Sequence, residues 1–285
     1  MRTVFKNKTL QKDFDSQGFV HVPVLDDAGI KILLELFQEN SIEYSQPFHT
    51  SHFSTEVGYK RRVNETIIDV VFHKLAMLLH DYRPIFGNLM IKHGMNDNFM
   101  PLHADWTYVD ETKCRSIAAW IALTDTDEVN GCLGVIEGSH KISDKVRGPR
   151  IQQTSYIHDK DWVKKYGRLI PVKAGDAIIF DHALMHYSPP NKTNISRPAL
   201  NLSIVPQEAD VFHYCIPEGS NEIEVYRVDD SDFYLNYNNN QRPETQSLIS
   251  TQSADSVKWV DEKMGKFDPY RKKNILKRLT ELLQK

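Results

Sequence analysis

Arg197-Pro198-Ala199-Leu200-Asn201-Leu202-Ser203-Ile204 divides its side chains between two faces. In an extended strand, residues two apart point the same way. Arg197, Ala199, Asn201 and Ser203 therefore share one face, and Pro198, Leu200, Leu202 and Ile204 share the other. One face is small and polar and the other apolar, as in a strand that lines a polar cavity with its back against a hydrophobic layer. Ser116 to Leu123 repeats the pattern: Ser116, Ala118, Trp120 and Ala122 on one face, Ile117, Ile121 and Leu123 on the other. Further short apolar runs broken by Gly, Pro, Asn and Asp predict strands at Phe86–Ile91, Cys132–Ile136 and Ala177–Phe180. Strands of this length and spacing indicate a mainly β sandwich or barrel.

Helices flank this core. Val20, Val22 and Val24 alternate in a short strand after Gly18-Phe19, and Asp26 or Asp27 can cap a helix through Ile30–Phe37. A second helix is predicted from about Glu65 to Asp81, with Ile67, Ile68, Val71, Leu75, Met77 and Leu78 apolar. Lys272 to Gln284 carries Ile275, Leu276, Leu279, Leu282 and Leu283 at helical spacing, which predicts a packing helix. With no internal repeat and no low-complexity linker, the 285 residues read as a single domain. It comprises a helical layer over about 10–84, a β core over about 85–206, and a C-terminal cover and helix over about 207–285.

Composition narrows the function. Apolar residues at 40% and charged residues at 26% are ordinary for a globular chain. A net charge of -3 argues against nucleic acid as the main partner. No run approaches the roughly 18 apolar residues of a membrane span. Polar residues follow Met1–Lys6 where a secretory signal would be apolar, so the expected location is the cytoplasm. Cys114, Cys132 and Cys215 are odd in number and lack paired spacing, which speaks against disulfides or structural zinc.

The chemistry centres on His103-Ala104-Asp105. Extended, this tripeptide turns both end side chains toward one point. A third ligand must come from a distant segment, and Gly175–His186 offers one 81 residues after Asp105. His182 and His186, four apart, share a face if that segment is a strand, so the residues alone leave both open. Two imidazoles and one carboxylate on one face of a metal leave three adjacent positions free, the mark of non-haem Fe(II) oxygenases. Arg197 follows His186 by 11 residues, across a turn built from Pro189 to Asn194 that brings it back beside the ligands. Its guanidinium fork suits a bidentate grip on a carboxylate.

In these features the chain resembles the phytanoyl-CoA dioxygenase (PhyH-like) family of 2-oxoglutarate oxygenases. The resemblance runs from Gly18-Phe19 through Pro101–Tyr108, Trp120, Asn130-Gly131-Cys132-Leu133 and Gly138-Ser139-His140-Lys141 to Gly175-Asp176, His186, Ser188 and Arg197. It implies a double-stranded β-helix, a cupin-like jelly roll, with helices on one side. It implies that His103, Asp105 and His186 hold Fe(II), and it selects His186 over His182. Arg197 and Ser188 are implied to bind the far carboxylate of 2-oxoglutarate, and Trp120 to line the cosubstrate pocket. Asn88, Met90 or Lys92, on the strand before His103, is expected to touch the cosubstrate as well. The residue between the first two ligands is often Gln in relatives and is Ala104 here; its side chain should point away from the metal. Relatives that halogenate carry Gly or Ala in place of the acid, so the presence of Asp105 resembles the hydroxylases. The implied reaction uses O2 and 2-oxoglutarate to hydroxylate an unactivated C–H bond of a small metabolite in a biosynthetic pathway, and releases succinate and CO2. Desaturation or oxidative cyclisation would need only another substrate pose.

Trp106, Tyr108 and Asn201 are candidates for substrate contact, with packing as the plain alternative for each. Residues 141–168 hold eight Lys/Arg against three acids and lie between two core strands, where a basic lid would favour an anionic substrate. A solvated loop is the alternative. Residues 210–244 carry eight acids interleaved with Tyr226, Phe233, Tyr234 and Tyr237, and read as a cover packed on the barrel. Two rivals to the oxygenase remain: a cupin-type metalloenzyme that does not use 2-oxoglutarate and has no need of Arg197, and a non-catalytic binding module, which commonly loses a ligand.

Overall fold

A computed structural model describes residues 2–39, 46–142, 146–151, 160–237, 242–244 and 246–253. Helix α1 (Lys8–Gln17) starts where Asn7 Oδ1 accepts from the N–H groups of Thr9 and Leu10, at 2.8 and 3.1 Å. Strand β1 (Phe19–Pro23) follows, and Asp26 caps α2 (Asp27–Glu39) by accepting from Gly29 N at 2.9 Å. After β2 (Phe48–Thr50), helix α3 (Val57–Ile67) runs through a π turn (Ile68–Phe72) into α4 (His73–Leu78). This corrects the helix expected from Glu65 to Asp81, which starts earlier and stops at Leu78. A π turn adds a residue to the repeat and rotates the apolar stripe. Val63, Ile67, Val71 and Leu75 are buried, while Met77, expected on the same face, is 69% exposed.

Ten further strands follow: β3 (Tyr82–Lys92), β4 (Met100–His103), β5 (Ile117–Ala122), β6 (Leu133–Val135), β7 (Arg168–Ile170), β8 (Asp176–Asp181), β9 (His186–Ser188), β10 (Arg197–Pro206), β11 (Val211–Cys215) and β12 (Glu222–Val228). Helix α5 (Lys160–Tyr166) precedes β7, and α6 (Phe233–Asn236) precedes the last strand described, β13 (Ser247–Ser253). The strands form antiparallel sheets in the orders β1-β8-β5-β10-β3-β2, β4-β9-β6-β7 and β11-β12-β13.

The first two sheets face one another as a jelly roll with open edges. The alternation along β10 and β5 decides what lies on each side. Leu200, Leu202, Ile204, Ile117 and Ile121 join Phe14, Leu33, Ile67 and Leu75 in a core between the larger sheet and the helices. Ala199, Ala118, Trp120 and Ala122 turn inward, against Leu133, Val135 and Ile170 of the smaller sheet. Strand β8 reads as an unbroken apolar run because both its faces are covered: Ala177 and Ile179 meet the helices, Ile178 and Phe180 the interior. Tyr108, Val109, Phe86 and Val205 pack with Val211, Phe233, Tyr234 and Tyr237 in a separate aromatic cluster beneath the C-terminal sheet. The helix expected at 272–284 lies outside the described residues. Cys132 and Cys215 are buried free thiols, and Cys114 is half-buried. Among the described residues no helix is long and apolar enough to cross a membrane.

Candidate active site

His103 and His186 are brought together by the β4–β9 ladder, in which they are direct partners. Met100 pairs with Ser188 in the same ladder, so three steps along β4 match two along β9 and a bulge falls at Pro101-Leu102. Proline is tolerated there because no ladder donor is required of it. Its carbonyl accepts from His103 Nδ1 at 2.7 Å, and the Leu184 carbonyl accepts from His186 Nδ1 at 3.0 Å. A carbonyl can only accept, so each Nδ1 carries the proton and each Nε2 lone pair is left free for a metal.

Asp105 stands two residues past the end of β4, its Oδ1 4.0 Å from His103 Nε2 and 3.7 Å from His186 Nε2. Ligand atoms of all three residues lie within 4.8 Å of one another, the spacing at which one ion reaches all of them. Burial and the neighbouring His186 pull His103 down to about 4, so its imidazole is neutral. Burial alone would raise Asp105; His186, His182 and His103 more than offset it and hold the carboxyl below its ordinary range. A neutral imidazole at His103 and an ionised carboxylate at Asp105 are protonation states that metal binding demands.

Beside this cluster lies a cavity of about 90 Å³, lined by Phe48, Met90, Met100, Trp120, Leu133, Phe180, Tyr187, Ser188, Arg197 and Asn201 together with the three candidate ligands. Arg197 is 3% exposed. Its Nη2 donates to the Gly131 carbonyl at 3.1 Å, and its guanidinium sits 5.4 Å from the centre of the Trp120 ring. Gly131 has φ of +85°, and a Cβ there would meet the Pro189 carbonyl oxygen at 2.6 Å, so glycine is required for this approach. Arg197 Nε and Nη1 are buried with no hydrogen-bond partner. Burial draws the guanidinium down only to about 10, so it remains a cation with two unused donors. Such a group calls for an anion, and a carboxylate satisfies it best.

Register places the remaining candidates. Asn201 pairs with Trp120 on one side and Asn88 on the other, and both amide oxygens are buried without partners. Met90 lines the cavity beside Asn201; Asn88 is not among its lining residues. Lys92, also expected near the cosubstrate, is fully buried with its Nζ donating to the carbonyls of Asn98, Ser188 and Pro189 at 2.7, 3.1 and 2.6 Å. It staples the loop before β4 to the end of β9.

His182 is buried outside the ligand cluster, in the turn between β8 and β9, with Nδ1 2.8 Å from Ser116 Oγ. Trp106 and Tyr108 do not line the cavity. Trp106 makes edge contacts with His52 and His213, and Tyr108 packs on His182 and Tyr234. Three cations of the basic segment are matched by acids of the chain itself. Arg147 is buried against Glu111, Arg150 lies 3.9 Å from Glu218, and Arg168 pairs with Glu137. Sequence reasoning misses Phe48, Met100, Leu133, Phe180 and Tyr187 as lining residues. The unbroken apolar run of β8 gives no signal that singles out Phe180, and three-residue β2 is too short to give one for Phe48.

A family model described as "Phytanoyl-CoA dioxygenase (PhyH)" matches residues 14–199. The chain is 25% identical over 177 residues to the phytanoyl-CoA dioxygenase domain-containing protein 1 homolog of Dictyostelium discoideum, covering 51% of this chain and 63% of that one. It is 33% identical over 119 residues to phytanoyl-CoA dioxygenase 1 of Oryza sativa subsp. japonica, covering 40% of this chain and 41% of the relative. The chain therefore spans less than two thirds of either relative. Among solved structures, HygX from Streptomyces hygroscopicus with nickel, 2-oxoglutarate and hygromycin B bound superposes with a TM-score of 0.51 at 16% identity, covering 71% of this chain and 88% of that one. At that identity the likeness carries the fold.

Proposed function

The chain belongs to the phytanoyl-CoA dioxygenase family, and on that premise we propose that it is a non-haem Fe(II), 2-oxoglutarate-dependent dioxygenase that hydroxylates a C–H bond of a small molecule. One observation carries the reading: two imidazole Nε2 atoms and a carboxylate converge within 4.8 Å beside a buried guanidinium with two unpaired donors. A metalloenzyme that needed only the three ligands would gain nothing from a desolvated cation in the same cavity.

His103, Asp105 and His186 would hold the ferrous ion at the wall of the cavity that they help to line. When bound, the metal and 2-oxoglutarate together supply the oxidising chemistry, with O2 reduced and succinate and CO2 released. Arg197 Nε and Nη1 would grip the distal carboxylate of the cosubstrate, with Ser188 lining the same cavity, and so would orient it. Trp120, Met90, Leu133 and Phe180, apolar residues of the cavity wall, would limit the access of water to it. Asn201, at the cavity wall with its amide oxygen unpartnered, offers a hydrogen bond to substrate or cosubstrate.

HygX holds hygromycin B alongside 2-oxoglutarate. A free small molecule is accordingly the substrate class proposed for this chain. Among the described residues of the basic segment, Arg147, Arg150 and Arg168 face acids of the chain itself, and residues 143–145 and 152–159 lie outside the described residues. The test is anaerobic loading with Fe(II) and 2-oxoglutarate, then exposure to O2 with a panel of small metabolites and a succinate readout. Metal-dependent succinate release that rises with one substrate class supports the reading. Absence of any 2-oxoglutarate turnover, coupled or uncoupled, with the metal bound overturns it.

A further inference from the structure

Asp105 has no ladder to hold it. Strand β4 ends at His103, and the stretch through Asp105 to Tyr108 has no regular backbone pairing. Yet a carboxylate ligand is useful only if its backbone is fixed, because a small swivel at the peptide swings Oδ1 away from the two imidazoles. What fixes it comes from 42 residues away. Arg147 Nε donates to the Asp105 carbonyl at 2.7 Å. The other edge of the same guanidinium is spent on Glu111, with Nη1 to Oε2 at 3.0 Å and Nη2 to Oε1 at 2.5 Å.

The backbone reinforces the contact in both directions. Thr107 N donates to the Arg147 carbonyl at 3.0 Å, and Arg147 N donates to Thr107 Oγ1 at 3.0 Å. The strap carrying Arg147 is in turn seated on the C-terminal sheet. Ile216 N donates to the Pro149 carbonyl at 3.2 Å, and a Cβ on Gly148 would fall 1.8 Å from the Tyr214 carbonyl oxygen, an approach only glycine permits. Phe212 N closes the circuit by donating to the Tyr108 carbonyl at 2.8 Å. Arg147 itself is 4% exposed and the Glu111 side chain 22%, so this is a partly buried ion pair built on a buried guanidinium.

We propose that Arg147, held by Glu111, is a positioning residue for the metal centre: it fixes the Asp105 peptide and thereby sets the affinity of the site for its divalent ion. The inference rests on the metal-site reading given above. Lysine cannot replace it, because a single ammonium has no rigid fork with which to satisfy a carbonyl on one edge and a carboxylate on the other. The strap also makes the ligand loop depend on residues far along the chain, so a change at Gly148 should be felt at the metal.

The test is a titration of the metal-free full-length protein with Co(II), a spectroscopic stand-in for Fe(II), on wild type, Arg147→Lys, Glu111→Gln and Thr107→Val, with thermal unfolding of each apoprotein alongside. Partners of metal ligands usually change metal affinity by about 10- to 100-fold when removed. Arg147→Lys is expected to weaken Co(II) by at least ~10-fold, with Glu111→Gln and Thr107→Val intermediate. A purely structural role would lower the apoprotein Tm and leave the Co(II) Kd of the folded protein unchanged; that result overturns the proposal. Should Arg147→Lys fail to fold, the Co(II) Kd values of Glu111→Gln and Thr107→Val decide between the same two outcomes. Failure of the wild type to bind Co(II) would instead strike the metal-site reading itself.

Discussion

His103 and His186 face each other across the β4–β9 ladder, with ring centroids 4.2 Å apart. The pairing depends on the single extra residue at Pro101-Leu102, because a one-residue slip in an antiparallel ladder turns every side chain to the opposite face. Insertion or deletion of one residue between Met100 and His103 should therefore abolish divalent-metal binding while leaving most of the β structure intact. Circular dichroism beside a Co(II) titration reads both at once.

In the proposed reading, Arg197 separates a 2-oxoglutarate enzyme from a plain three-ligand metalloprotein. Two charge-assisted hydrogen bonds contribute about 1.5–3 kcal/mol each. Arg197→Ala is expected to raise the 2-oxoglutarate Kd by roughly two orders of magnitude or more, with Co(II) affinity little changed. Calorimetry on the metal-loaded protein measures it, and an unaltered 2-oxoglutarate Kd would count against this role.

His186 and His182 can be told apart by substitution. His186→Ala removes a proposed ligand and should eliminate specific metal binding. His182→Ala, which removes a side chain bonded to Ser116 outside the cluster, should retain it with a loss of no more than about 10-fold. Metal analysis after dialysis gives the comparison.

Lys92 donates to three buried carbonyls while burial and the neighbouring Arg197 draw it down to about 7. Lys92→Met fits the space but leaves Asn98, Ser188 and Pro189 without that donor. The expected destabilisation is about 2–5 kcal/mol, read from urea unfolding at constant m-value.

His140 and His213 are pushed down to about 3, mainly by burial, with Arg115 and His52 respectively adding to it. Between that value and the ordinary 6.5 the unfolded chain binds protons that the folded chain refuses. Stability is therefore fully present above about 6.5 and is lost as pH falls through the window below it. His213→Phe, packed against Phe233 and Tyr237, should remove about 2 kcal/mol of the loss between pH 7 and 5. Unfolding curves at the two pH values decide it.

The parts of the fold legible in sequence are those whose pattern is imposed by burial on two sides. Strands β5 and β10 show their inner and outer faces residue by residue because each face meets a different layer. Helix α1 carries no such signal, since Phe14 is its one fully buried residue, and the π turn at Ile68–Phe72 displaces the apolar stripe that runs through α3 and α4. The candidate ligands are legible because His103, Asp105 and His186 follow a spacing set by the ladder and its turns. Adjacency to Asp105 suggests Trp106 and Tyr108 as substrate contacts, but adjacency in sequence does not fix direction, and both turn into the aromatic cluster beside Phe233 and Tyr234. In sequence Arg147 is one more charge on a basic loop; its burial depends on Glu111 and Asp105, a tertiary coincidence that no local pattern announces.

Anomalous diffraction from crystals loaded anaerobically with Fe(II) and 2-oxoglutarate locates the ion itself. One iron peak is expected within ~2.0–2.2 Å of His103 Nε2, Asp105 and His186 Nε2, with the distal cosubstrate carboxylate on Arg197. An iron peak elsewhere, or Asp105 or His186 turned away from it, would contradict the assignment of this cluster as the oxygenase metal centre.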